Sequence, residues 1–63
     1  MKYLKKIDAI LKTQGKSRSA LAREIGISRQ KLAYQLKHDT FRVSELYVLC
    51  RALGCQIKYL LGD

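Results

Sequence analysis

Residues 17–37, SRSALAREIGISRQKLAYQLK, decide the fold. Leu21 and Ile25 form an apolar i, i+4 stripe, and Leu32 and Leu36 form another, with Gly26 between them. A glycine inside one long helix costs about 1 kcal/mol relative to alanine. The stretch therefore reads as two short helices meeting at a corner, where Gly26 takes a positive φ and Ile27 turns into the core. Ser17 and Ser28 stand where helix amino-terminal caps belong, and Ala20 and Ala22 allow a neighbouring helix to approach closely.

The flanking sequence supplies three more helices. In MKYLKKIDAILKTQG, residues Tyr3, Leu4, Ile7, Ile10 and Leu11 share an arc of about 120° at about 100° per residue, and Gly15 supplies the stop. After the break at HDTF, VSELYVLCRALG places Val43, Leu46, Leu49, Cys50 and Leu53 on one face before Gly54. CQIKYLLGD has room for about two turns, with Ile57, Leu60 and Leu61 inward and Gly62 closing. With no proline, repeat or linker, the expectation is one all-α domain over residues 1–63, a compact five-helix unit whose third helix spans about 28–37.

At 63 residues the chain can bury only a modest core, too small to surround a large catalytic cleft. There is no carboxylate pair, no nucleophile near His38 in the pattern and no phosphate loop, so an enzyme is not expected. Cys50 and Cys55 lack companions at ligand spacing, which argues against a zinc site or a disulfide framework, and neither metal nor cofactor is expected. No apolar run has membrane-spanning length, and the amino terminus carries charges where a signal peptide has its apolar stretch. A cytoplasmic, nucleoid-associated protein is the expectation. Thirteen Lys and Arg against five Asp and Glu give a net charge of +8, which makes a polyanion the natural partner.

Two short helices hinged at a glycine, the second with a polar outer face, fit a helix-turn-helix, whose second helix enters the DNA major groove. SRSALAREIGISRQKLAYQL resembles the helix-turn-helix of the lambda repressor and Cro family, also called XRE, and LCRALGCQIKYLLGD resembles that family's fourth and fifth helices. The resemblance implies a lambda-repressor-like domain binding double-stranded DNA as a small phage or bacterial regulator, a repressor on paired half-sites. It also implies that Arg29, Gln30 and Tyr34 read bases and that Ser28 caps the recognition helix.

The chemistry of these side chains fits the implied roles. Arg29 can grip guanine O6 and N7, Gln30 can pair with adenine N6 and N7, and Ala33 or Tyr34 can meet a thymine methyl. Lys16, Ser17, Arg18, Ser28, Lys31, Lys37 and Arg42 are the candidate phosphate contacts. Arg18 departs from the family, where many members carry glutamine early in the second helix, and Gln35 stands where many carry an apolar or aromatic residue.

Other readings of the same residues exist. Arg29, Gln30 and Lys31 also suit a solvated helix face, and Tyr34 has a second reading, packed against the loop around Phe41. His38 reads as a loop residue or phosphate neighbour. A protein-interaction module on the same scaffold, antitoxin-like or polymerase-binding, is the competing function; its contact face would be apolar at the centre. With the sequence ending at Asp63, dimer contacts are expected from Tyr47, Ile57 and Tyr59, giving a monomer or weak homodimer in solution that pairs on DNA.

Overall fold

The computed structural model describes residues 2–62 and holds five helices: α1 (Leu4–Gln14), α2 (Arg18–Ile25), α3 (Arg29–His38), α4 (Val43–Leu53) and α5 (Ile57–Leu61). Among the described residues there is no strand. The body measures 26 × 24 × 18 Å. Its short dimension is under two helix diameters, so each helix has one face inside and another in solvent.

Each apolar stripe supplies a layer of one core. Ile7 and Leu11 of α1, Leu21 and Ala22 of α2, Leu32 and Leu36 of α3, Leu46, Leu49 and Leu53 of α4 and Leu60 of α5 are all buried together. Ala22 is small where α2 packs on both α3 and α4. Burying a leucine-sized side chain contributes about 1.5–3 kcal/mol relative to leaving it exposed, so this set outweighs the modest helix propensities of five short segments.

The corner works through backbone conformation. Gly26 has φ +78°, and a Cβ built there meets nothing within 4 Å. A side chain would fit the space; the left-handed conformation itself is what disfavours other L-residues, by about 1–2 kcal/mol. The Ile27 amide donates to the Ala22 carbonyl at 3.0 Å and the Gly26 amide to Arg23 at 3.3 Å, the paired bonds of a Schellman stop. Ile27 packs against the core half-buried, and Ser28 opens the next helix immediately.

Three details differ from the sequence reading, and a fourth, the burial of Gln35, was not part of it. The third helix includes His38 and ends on Asp39, a non-glycine residue in the left-handed region (φ 52°). Val43 shares the angular face of Leu46 but is 61% exposed, because it opens α4 ahead of the turns that its neighbours cover. Leu61, at the end of the single-turn α5, is 43% exposed, so Leu60 alone buries there completely. Gln35 lies on the inward side of α3 with 6% exposure.

The two thiols meet at the end of α4. The Cys55 amide donates to the Cys50 carbonyl at 3.0 Å across the left-handed Gly54, which brings together the positions whose side chains commonly touch in this stop. Burial, then the neighbouring Cys55 thiol, pushes the Cys50 thiol up to about 11, far from a reactive thiolate.

Candidate nucleic-acid interface

The outer surface of α3 follows from its inner one. With Leu32, Gln35 and Leu36 buried, the remaining positions Arg29, Gln30, Lys31, Ala33, Tyr34, Lys37 and His38 are exposed. The helix contains no acidic residue. Its entry is fixed by Ser28, whose hydroxyl oxygen accepts the Lys31 amide at 3.0 Å. A hydroxyl that accepts in this way retains its own proton for donation, and the first-turn amides around it remain open to an anion. Ser17 caps α2 in the same manner through the Ala20 amide at 3.1 Å.

The cations around this face fall into two groups. Among the described residues Arg29, Lys31, Lys37 and Arg42 are exposed and make no ion pair. Lys16 and Arg18, expected as phosphate contacts, are engaged within the protein. Lys16 Nζ lies 2.7 Å from Glu24, and the Arg18 guanidinium forks onto Asp8 with bonds of 2.9 and 2.5 Å. The fork is bidentate, the arrangement that makes arginine–carboxylate pairs directional. Its hydrogen bond to Asp8 raises the Arg18 pKa above its ordinary value. A phosphate must compete with a carboxylate for each of these cations.

The carboxylates explain the rest of the charge pattern. Asp39 accepts the Lys2 amide at 2.8 Å and the Tyr3 amide at 3.3 Å, so the residue that ends α3 also supplies the start of α1 with acceptors. Those bonds, the Lys2 amide foremost, hold its carboxyl below the usual range. Glu45 accepts the Arg42 amide through one oxygen at 2.8 Å and the Gln35 side-chain amide through the other at 3.1 Å, and both bonds depress its pKa, the Arg42 contribution being larger. With Asp8 and Glu24 in ion pairs, all four described carboxylates are committed inside the protein, and the cations are left in excess outside.

The aromatic residues do not pair as the second reading of Tyr34 required. Phe41 meets Tyr3 edge-on at 5.7 Å, while Tyr34, 60% exposed, lies against His38 with ring centroids 4.4 Å apart. Sequence reasoning missed this neighbour and the Gln35–Glu45 bond. The i, i+4 spacing of Tyr34 and His38 would have revealed the former had the helix been extended by one residue. Nothing in the sequence marks the latter, which joins residues ten positions apart in different helices.

Among the described residues no three His, Cys, Asp or Glu side chains cluster in a way that could hold a metal ion, and no helix is long and apolar enough to cross a membrane. Comparison with family models matches residues 6–63 to the Cro/C1-type HTH DNA-binding domain. No curated protein and no solved structure matched the chain.

Proposed function

Because the chain belongs to the Cro/C1-type helix-turn-helix family and binds DNA through that domain, we propose that it is a sequence-specific transcriptional repressor with α3 in the major groove. Arg29, Gln30, Ala33 and Tyr34 read base edges, while Ser17, Ser28, Lys31, Lys37 and Arg42 hold phosphates. The observation that carries this reading is the outer face of α3: polar, free of acidic side chains and flanked by cations that make no ion pair among the described residues. Lys16 and Arg18 join the phosphate set only by leaving Glu24 and Asp8.

The protein works in the cytoplasm as a monomer or weak dimer that pairs on a two-fold operator. Its charge of +8 opposes self-association until DNA neutralises it. Selection of bound sites from random duplex DNA tests the proposal. A two-fold motif with half-sites about one helical turn apart is expected, and enrichment of no sequence would refute it. Sedimentation of a stable dimer in dilute solution would refute the oligomeric part alone.

A second reading, a protein-interaction module, is favoured by Val43, Tyr47 and Val48 of α4, which are 61%, 56% and 48% exposed. Side chains of this kind suit the apolar centre of a contact surface. That reading expects no sequence enrichment in the same experiment.

A further inference from the structure

Gln35 is a polar residue in an apolar place. It sits between Leu32 and Leu36 on the inward side of α3, and it borders a hollow of about 110 Å³ with Ile25, Ile27, Phe41, Val48 and Leu49. A leucine there would satisfy the core, whereas a buried amide must find hydrogen-bond partners or destabilise the fold. Its partner is specific: Nε2 donates to Glu45 Oε2 at 3.1 Å, and Glu45 Oε1 accepts the Arg42 amide at 2.8 Å. No buried side-chain nitrogen or oxygen among the described residues lacks a partner.

We propose that Gln35 is a positioning residue for DNA readout, fixing the reading helix, through Glu45, to the backbone of Arg42 at the start of α4. The inference rests on the reading that α3 faces bases and Arg42 faces phosphate. Leucine packing is non-directional and tolerates small rotations of α3 against α4, but a two-step hydrogen-bond relay does not. Gln35 follows Tyr34 directly and lies on the inner surface of the same turns that carry Gln30 and Tyr34 outward. A rotation of α3 would therefore carry the base-reading side chains away from the register set by the phosphate contacts. Buried polar groups are best attested as devices for register, and the hydrogen bonds that hold Glu45 ionised keep this acceptor strong near neutrality.

The test compares variants on a duplex carrying the site that the unaltered protein enriches and on the same duplex with one base pair changed. Gln35→Leu puts a branched apolar side chain of similar size beside the hollow and removes the relay. Its melting temperature is expected to hold or rise, while discrimination between the two duplexes falls by about fivefold or more, the scale of coupling between contacting residues. Gln35→Glu sets two carboxylates face to face and loses discrimination as well. Adding Glu45→Gln restores it, because the amide at position 45 then donates to the carboxylate at position 35 and still accepts the Arg42 amide.

A residue that merely stabilises the fold would leave discrimination in the folded protein unchanged; that result for Gln35→Leu, whatever its melting temperature, overturns the proposal. Failure of the double exchange to restore discrimination, in protein with unchanged helical circular dichroism, overturns it too. If Gln35→Glu does not fold, Gln35→Leu decides. If the unaltered protein enriches no site, DNA reading by α3 has failed and the inference falls with it, an outcome distinct from normal enrichment with indifferent variants.

Discussion

α2 and α3 begin alike. Ser17-Arg18-Ser19 and Ser28-Arg29-Gln30 each place a serine at the cap and an arginine at the first helical position, and each serine accepts an amide three residues on, at 3.1 and 3.0 Å. The arginines nevertheless differ in what they can do. Arg18 is forked onto Asp8 of α1, while Arg29 has no ion-pair partner among the described residues. Local sequence thus determined the helix starts and the direction of the caps, but a residue ten positions away determined which guanidinium is paired with a carboxylate. A count of positive charges overstates the electrostatic footprint wherever a carboxylate has already claimed the charge.

The largest effect expected of this difference is at Arg29. Arg29→Ala should cost about 1–3 kcal/mol of binding to the selected site and relax preference at one base position, as loss of a bidentate guanine contact does. Equal weakening on every sequence, measured by titration against single-base variants, would move Arg29 from the reading group to the phosphate group. Arg42→Ala should weaken all sequences alike and flatten the dependence of log K on log salt by about one unit. Asp8→Asn tests the comparison from the other end by freeing Arg18. The salt dependence should then steepen by up to about one unit, with non-specific affinity raised; an unchanged slope would show that Arg18 does not face the duplex at all.

Arg18→Ala should do less. Both partners are more than a third exposed, at 45% and 39% of side-chain surface, so solvent and salt screen the pair, and its loss should lower stability by about 1 kcal/mol at most. DNA affinity should change little, because the guanidinium was already occupied. If Arg18→Ala flattened the salt slope as strongly as Arg42→Ala, the Asp8 fork would have to open on DNA, and the two helix starts would become functional equals.

The same contrast explains what the sequence could reveal. Spacing of Leu21, Ile25, Leu32 and Leu36 about Gly26 identifies the two-helix corner because period and turn chemistry act within a few residues. An angular face cannot say whether another helix reaches a given turn, which is why Val43 and Leu61 looked buried and are exposed. The apolar pattern breaks at HDTF, yet the third helix runs through His38 to an aspartate stop, and Asp39 holds its left-handed conformation while its side chain accepts two amides of the distant amino terminus. The Gln35–Glu45 bond and the Asp8–Arg18 fork escaped for one reason: each joins side chains from separate helices, and only packing of the whole chain brings them together.

Acid should act on the two carboxylate anchors of α3. Asp39 and Glu45 both titrate below their ordinary values in the folded protein, chiefly through the Lys2 and Arg42 amides respectively. For a carboxylate with a depressed folded pKa, the unfolded chain binds protons first as pH falls. The stabilisation is therefore complete above the unfolded pKa, near 4 for both, and disappears as pH falls through the lower folded value. Denaturant midpoints should hold constant from about pH 7 to pH 5 and decline as the pH falls below about 4. Asp39→Asn keeps a residue that tolerates the left-handed conformation and one amide acceptor, but it cannot titrate. Its decline should be shallower than that of the unaltered protein, modestly so because the site is exposed to solvent, and an identical slope would mean that the link from the end of α3 to the start of α1 carries none of the acid sensitivity.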